Sequence, residues 1–284
     1  MALLSLLVMP ALVLFPAADP PAPAPAATPA AVPAAAPATP PVEPNAMQVR
    51  VEKFLDELEK TSTTIETLSG GLSLEKYDAF VEESERRFGR VVLDRKDGKR
   101  RFAIYFDEFV DGSGRSDQSI DHWIYADGWL CEQDFRNKSF TKRQVVPAGK
   151  DFDPLALGEG PIPLPIGQKK VDVLARFDVT ETEVPLDIPM LGTMRNVAAL
   201  KLVPKPDTTM SKDTAAIELF YDRTTLAPSG VIIRAKNGDR TVARISNAVV
   251  NGDVKDADRK LLEIPTPDPK EWTVDVRPMA VETK

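Results

Sequence analysis

The chain has only one cysteine and one histidine among 284 residues. Cys131 alone cannot form a disulfide within the chain, and we interpret it as a small, half-buried strand residue. One cysteine and one histidine are too few for a zinc site. A Ser-His-Asp hydrolase would need His122 as its base, but no nucleophile-elbow sequence accompanies it, so we interpret His122 as solvent-facing. The sequence therefore predicts no enzyme, no metal and no cofactor.

Basic residues are also in the minority. The chain has 36 lysines and arginines against 43 aspartates and glutamates, a formal net charge of -7. It has no basic stripe with interleaved aromatic residues, which argues against a nucleic-acid partner. The local basic cluster around Arg95 and Arg101 is interpreted as the solvated turn of a hairpin.

A long apolar run occurs at the start of the chain. Ala2–Phe15 has the length of a signal-peptide core rather than of a membrane span, although no basic residues precede it. The following alanine and proline residues favour an extended, disordered spacer. We predict a signal peptide or N-terminal anchor over 1–18, a disordered linker over 19–45, a folded domain over 46–276 and a tail over 277–284. Whether the first segment is cleaved stays open, and the predicted location is the periplasm or another part of the cell envelope.

The clearest predicted helix starts after Asn45, a suitable N-cap residue. Val51, Phe54, Leu55 and Leu58 follow at helical spacing and form one apolar stripe. An amphipathic helix of this kind needs a partner surface to cover its apolar side.

The rest of the chain is dominated by short alternating runs separated by turn residues. They predict roughly ten or eleven strands, with strands at 171–180 and 261–264 among them. An apolar, proline-rich segment over 153–166 interrupts the strands and is predicted to pack on them. The predicted fold is mainly β (α+β): a curved antiparallel sheet forms an unclosed half-barrel, covered by the N-terminal helix and a short central helical or loop lid.

Heavy apolar side chains are expected on one face of this sheet, where they either line a cavity or fill a closed core. Holding a chain of about 16 carbons in water costs on the order of 10 kcal/mol, so a soluble carrier must supply apolar lining on that scale. Trp129 is expected to point inward with its neighbours. The candidate cavity and lid residues are Phe54, Leu58, Phe102, Ile104, Phe106, Trp123, Tyr125, Leu164, Leu200, Leu219 and Ile233.

Four segments occur in a characteristic order: RVVLDRKDGKRRFAIYF, DHWIYADGWLCEQD, VAALKLVPK and AIELFYDRTTLAPSGVIIRAKNGDRTVARISNAVVNG. Together they resemble the LolA-like family of periplasmic lipoprotein carriers and outer-membrane lipoprotein-sorting proteins, and the resemblance covers roughly 46–276. It implies an unclosed barrel whose helical lid closes an apolar cavity that shields acyl chains, without enzymatic activity. The family also holds its lid with an arginine at the end of the second strand. Arg95 stands nearest that place, followed by Lys96 where the family usually has proline, and Arg90 and Arg101 are alternatives.

Two functions therefore remain open. The first is an exported, monomeric, non-enzymatic carrier that binds the acyl chains of a lipid or lipoprotein. The second is a sensing or scaffolding module of the same fold that binds a protein of the cell envelope. A large apolar space between helix and sheet would favour carriage, and a packed interface would favour scaffolding.

Overall fold

The computed structural model describes residues 45–98, 100–118, 121–146 and 169–279. The predicted signal peptide, most of the predicted linker and the segment 153–166, with Leu164, lie outside these described residues.

Helix α1 spans Ala46–Ser62. The Asn45 side chain caps it by accepting a 3.2 Å hydrogen bond from the Met47 amide, as the sequence predicts. Val51 and Leu55 are buried on one side of the helix. The predicted apolar stripe is therefore confirmed and faces the sheet.

The described residues also form two shorter helices and thirteen strands. The helices are α2, Lys170–Arg176, and α3, Asp256–Leu261. The strands are β1 Thr67–Asp78, β2 Glu83–Asp94, β3 Arg101–Val110, β4 Ser116–Asp117, β5 Asp121–Ala126, β6 Trp129–Asp134, β7 Ser139–Gln144, β8 Phe177–Thr182, β9 Val197–Pro204, β10 Thr214–Asp222, β11 Pro228–Ala235, β12 Arg240–Val250 and β13 Thr273–Arg277.

These strands form one sheet in the order β13-β7-β6-β5-β3-β2-β1-β12-β11-β10-β9-β8, with β4 paired only to β3. The neighbours pair antiparallel, except that β13 runs parallel to β7. The edge strands β13 and β8 do not pair with each other, so the sheet is unclosed. The predicted fold class is confirmed.

The sheet is strongly curved. Tyr125 of β5 and Phe177 of β8 belong to one apolar cluster, although a flat sheet would place those strands more than about 35 Å apart. Bulges in β12 opposite Gly71 of β1 and in β3 opposite Gly89 of β2 help to bend it. At Gly89 a Cβ would overlap the carbonyl oxygen of Tyr105, so the close approach of β3 requires glycine.

We call the face that α1 covers the concave face and the opposite one the outer face. The concave face carries the largest apolar cluster, with side chains from α1, α2 and most strands. Three smaller clusters lie on the outer face, as the alternation of each strand requires. Residues 184–197, 254–262 and 264–272 contribute the covering side chains there. Both faces are therefore packed, and function must be sought where the packing is interrupted.

Two predicted strands are wrong in part. The stretch predicted as a strand over 171–180 begins as α2 and becomes β8 only at Phe177. Its alternation fits a strand, but contacts of Lys170 with α1 stabilise the helix instead. The segment predicted as a strand over 261–264 is instead the end of α3 followed by an irregular stretch. Its Leu262 is buried on the outer face, and the last strand of the sheet is β13.

Candidate functional site

A groove of about 590 Å³ lies between α1 and the strands β8 and β9 at one edge of the sheet. We call it the lid groove. Its walls combine apolar side chains from both sides with charged groups at the rim. The lining residues are Met47, Phe54, Glu57, Glu181, Thr182, Glu183, Ala198, Ala199, Leu200, Arg223 and Leu226.

The floor of the lid groove is continuous with the concave apolar cluster. Leu200 is a buried member of that cluster and Phe54 packs against it. The Phe54 ring also meets Tyr221 edge-on, with 6.0 Å between the ring centroids. Tyr221 is buried, which raises the pKa of its hydroxyl. A ligand in the groove would therefore touch the core through Phe54 and Leu200.

An ion pair holds the N-terminal half of α1 to the edge strand β8. Arg50 Nη2 lies 3.0 Å from Glu181 Oε2, and Arg50 Nε donates a second hydrogen bond of 3.2 Å to Glu181 Oε1. The hydrogen bond to Arg50 lowers the pKa of Glu181 and raises that of Arg50. Both side chains are exposed, so water and salt weaken the attraction.

A single lysine docks α2 on α1. Lys170 Nζ lies 2.9 Å from Asp56 Oδ2 and 3.7 Å from Glu52 Oε2, and the Lys170 amide donates a 2.9 Å hydrogen bond to Glu59 Oε2. The hydrogen bond to Asp56 is the main cause that raises the pKa of Lys170. Val173 of α2 reaches the concave cluster. Helix α2 thus forms, with α1, the described part of the helical cover.

The C-terminal end of α1 is held by Arg95. Its Nη1 donates a 3.4 Å hydrogen bond to the carbonyl oxygen of Ser62, the last residue of the helix. The two alternative arginines are engaged elsewhere: Arg90 pairs with Asp258 of α3 and Arg101 pairs with Asp94. Of these three arginines, Arg95 is the one that donates a hydrogen bond to α1, and its role as a latch stays a prediction.

The described candidate cavity residues all belong to the concave cluster or pack against it, but to different depths. Phe102, Ile104, Phe106, Tyr125, Leu200 and Leu219 are buried members. Phe54, Leu58, Trp123 and Ile233 are only partly buried and pack against these. Of these candidates, only Phe54 and Leu200 line the lid groove. The other buried residues fill the core.

The expectation for Trp129 is wrong, because this side chain lies on the outer face. The two-residue turn Asp127-Gly128 has positive φ angles of 51° and 82° and pairs Ala126 directly with Trp129. That pairing puts Leu130, opposite Tyr125, on the concave face instead. Trp129 packs with Trp272 in an outer cluster.

His122 and Cys131 are also more buried than the sequence suggested. His122 Nε2 donates a 2.8 Å hydrogen bond to the carbonyl oxygen of Leu261 in α3, and its ring meets Tyr105 edge-on at 5.3 Å. Burial lowers the pKa of His122 and raises the pKa of Cys131 to about 11. His122 is covered by α3, whose Leu261 is 139 residues further along the chain. The residues around His122 therefore give no sign of its burial.

Two kinds of feature are absent from the described residues. No helix among them has the length and apolar character needed to cross a membrane. No group of three or more histidine, cysteine, aspartate or glutamate side chains in the same ranges could hold a metal ion.

No protein-family model and no curated protein matches the chain. Among solved structures, an uncharacterized conserved protein from Thermus thermophilus is 14% identical with a TM-score of 0.42, over 80% of this chain and 99% of that one. A chain of the Pseudomonas aeruginosa MucA/MucB complex is 14% identical with a TM-score of 0.41, over 75% and 60%. A LolA superfamily protein from Nitrosomonas europaea is 7% identical with a TM-score of 0.29, over 72% and 95%. LolA superfamily proteins are thus among the structures that this chain resembles, and what it binds must be argued from its own residues.

Proposed function

We propose that this chain is an exported, non-enzymatic carrier that binds an acyl chain of a lipid or lipoprotein between α1 and the concave face. The observation that carries this proposal is the lid groove, about 590 Å³ of space beneath α1 whose floor is the apolar core itself. The volume lies within the range of about 300–1,000 Å³ that is usual for small-molecule sites.

The apolar floor of the groove favours an apolar ligand, whereas its walls are largely polar. Each methylene that leaves water contributes about 0.8 kcal/mol, so a few methylenes against Phe54 and Leu200 already give useful affinity. The charged rim of Glu57, Glu181 and Arg223 would stay at the water boundary. An amphiphile suits both the apolar floor and the charged rim, because its chain can lie on the floor while its polar end stays in water.

Release of the ligand requires that α1 can move. Three polar contacts hold the helix: Arg50 to Glu181, Lys170 to the α1 carboxylates, and Arg95 to Ser62. The first two are solvent-exposed pairs, and such pairs contribute little to stability. The main cost of opening is then the exposure of Val51 and Leu55, which an acyl chain that takes their place on the sheet would offset.

The remaining parts of the chain fit delivery to the cell envelope. Residues 1–18 would export or anchor the protein, and 19–45 would act as a spacer of up to about 3.1 Å per residue in front of the domain over 46–276. In this proposal the carrier acts in the cell envelope as a monomer, without a cofactor and without nucleic acid.

The proposal is tested with delipidated protein and the neutral fluorescent probe phenylnaphthylamine, which reports transfer from water to an apolar site. Met47, in the first turn of α1, lines the lid groove and is 43% exposed. Val49, on the same helix, is 51% exposed and is not among the lining residues. We expect saturable binding that Met47→Trp weakens about tenfold by filling the groove, while Val49→Trp leaves it unchanged. Absence of saturable binding to the wild-type protein, or equal effects of the two substitutions, would overturn the proposal.

A second candidate function, recognition of a protein in the envelope, is favoured by the tip of the β1–β2 hairpin. Phe80 is 94% exposed there, and Val81 beside it is exposed too. Asp78 Oδ1 accepts a 2.8 Å hydrogen bond from the Phe80 amide, and Asp239 Oδ1 accepts one of 3.0 Å from the Ala79 amide. These hydrogen bonds hold the main chain of the turn, which presents the Phe80 ring to solvent. A stable envelope partner retained by wild-type protein without lipid, and lost with Phe80→Ser, would favour this function over carriage.

A further inference from the structure

A second groove, of about 490 Å³, lies at the opposite edge of the sheet, where β6, β7 and β13 meet. We call it the edge groove. Its apolar lining includes Leu130 and Val145, both of which pack against the concave cluster. Arg143 and Arg277 line it as well, together with Glu132. The edge groove therefore places two cationic side chains and one carboxylate beside apolar side chains of the concave cluster.

The register of β13 and β7 brings the two arginines side by side. The strands run parallel, and Arg277 is paired with Arg143. Phe140 packs on the outer face and Val145 on the concave face, so the alternation of β7 places Arg143 on the concave side with Val145. Like charges at neighbouring positions repel, and sheet stability alone does not favour this pair.

Each guanidinium has a carboxylate neighbour at rest. Arg143 pairs with Glu132, and Arg277 Nε donates a 2.8 Å hydrogen bond to Asp275 Oδ2. The two arginine side chains remain 43% and 66% exposed, so neither pair is shielded from water. The Arg143 Nε is buried and has no acceptor among the described residues. A guanidinium has five N–H donors, and these contacts leave donors for a further anion.

We infer that the edge groove is a second amphiphile site on the concave face, in which Arg143 and Arg277 bind an anionic oxygen group, a carboxylate or a phosphate. The apolar chain of that amphiphile lies on Leu130 and Val145 next to the anionic group. Two adjacent planar forks match the oxygens of such a group, and charge-assisted hydrogen bonds of this kind are about twice as strong as neutral ones. This inference rests on the proposed function and adds to it a second site with an assigned ligand class.

The test is displacement of phenylnaphthylamine by ligands that differ only at the polar end: hexadecanoate, hexadecyl phosphate and neutral hexadecanol. We expect wild-type protein to prefer the two anionic ligands about tenfold, because charge-assisted hydrogen bonds from the arginines are stronger than those to a neutral hydroxyl. The double substitution Arg143→Gln with Arg277→Gln should abolish that preference and leave hexadecanol binding unchanged. Lys142→Gln is the matched control, since Lys142 lies on the outer side of β7, 4.7 Å from the Trp129 ring centroid.

The outcomes separate this inference from the proposal on which it rests. Equal affinity of wild-type protein for hexadecanol and hexadecanoate, or a preference that survives the double substitution, would overturn the anionic site and leave the carrier standing. Failure of all three amphiphiles to bind would overturn the carrier itself. Inorganic phosphate is tested alone by calorimetry. If it binds as tightly as hexadecyl phosphate, the site takes a free anion and the part of the inference that concerns an amphiphile is wrong.

Discussion

The guanidinium of Arg95 donates a hydrogen bond of 3.4 Å to the main-chain carbonyl of Ser62, so the loop after β2 holds the last turn of α1. An unpaired carbonyl at a helix end is commonly satisfied by a basic side chain of this kind. We predict that Arg95→Gln loosens the C-terminal turn of α1 while the sheet stays folded. Hydrogen exchange should show faster exchange of amides in α1 and unchanged protection in β1 and β2.

Arg115, an exposed arginine in the loop between β3 and β4, supplies the control. Arg115→Gln removes the same charge and should leave α1 exchange unchanged. Phenylnaphthylamine should also associate and dissociate faster with the Arg95 variant if α1 gates the groove. Unchanged exchange in α1 after Arg95→Gln would contradict the latch.

The pair of Arg50 and Glu181 gives a prediction on the other end of α1. Arg50→Glu places two carboxylates together at the contact between helix and edge strand, which should detach the N-terminal half of α1. The double exchange Arg50→Glu with Glu181→Arg should restore the attraction with reversed sign. We expect faster probe release in the single variant and a return toward the wild-type rate in the double variant, measured by stopped-flow fluorescence.

Salt gives an independent check on the same pair. Exposed charges are screened within about 10 Å at 0.1 M ionic strength, so the difference between the single and double variants should shrink as salt rises. A salt-independent difference would show that the substitutions act by distorting the groove and would contradict an electrostatic hold on α1.

The sequence predicted the sheet better than the contacts across it. Alternation is local, so β2, β3, β9 and β10 could be recognised from their own residues, and the stripe of α1 from its helical spacing. The Asp127-Gly128 turn would also have placed Trp129 on the outer face, because a two-residue hairpin loop fixes which residues pair. That signal was present in the sequence, and the expectation for Trp129 did not use it.

Other features depend on segments far apart in the chain and could not be read locally. The burial of His122 requires α3, and the choice of helix rather than strand at Lys170 requires the carboxylates of α1. The side-by-side position of Arg143 and Arg277 depends on a parallel pairing between strands separated by most of the folded domain's second half. Leu164, predicted as part of the lid, lies outside the described residues and stays a prediction.

Trp123 offers a fluorescent reporter of the concave face. It is partly buried, and its ring meets Phe106 edge-on at 5.9 Å between centroids. The other two tryptophans, Trp129 and Trp272, lie in an outer cluster. We predict that a protein with both of these changed to Phe shows a blue shift of Trp123 emission when an acyl ligand binds. The converse variant, with only Trp123 changed to Phe, should show no shift.

The same aromatic pair separates core from cavity wall. Phe106 is fully buried, so Phe106→Ala should lower the free energy of unfolding by about 3–5 kcal/mol. Trp123→Ala should cost less stability and weaken ligand binding more, because part of its surface is accessible. Urea denaturation and probe titration of both variants measure the two effects. If Trp123→Ala destabilises as much as Phe106→Ala without changing ligand affinity, Trp123 belongs to the core alone.

His122 gives a prediction about pH. Burial lowers its pKa below the ordinary value of 6.5, and only the hydrogen bond to the Leu261 carbonyl opposes this. The unfolded chain therefore takes up a proton near pH 6.5 while the folded protein still resists it, so the free energy of unfolding falls as the pH drops below about 6.5. The free energy of unfolding changes by at most about 1.4 kcal/mol per pH unit for one proton.

His122→Gln should remove this part of the pH dependence, as measured by urea denaturation at several pH values. As the only histidine, His122 also gives one imidazole resonance, and a titration midpoint at or above the ordinary value would contradict the burial that α3 imposes.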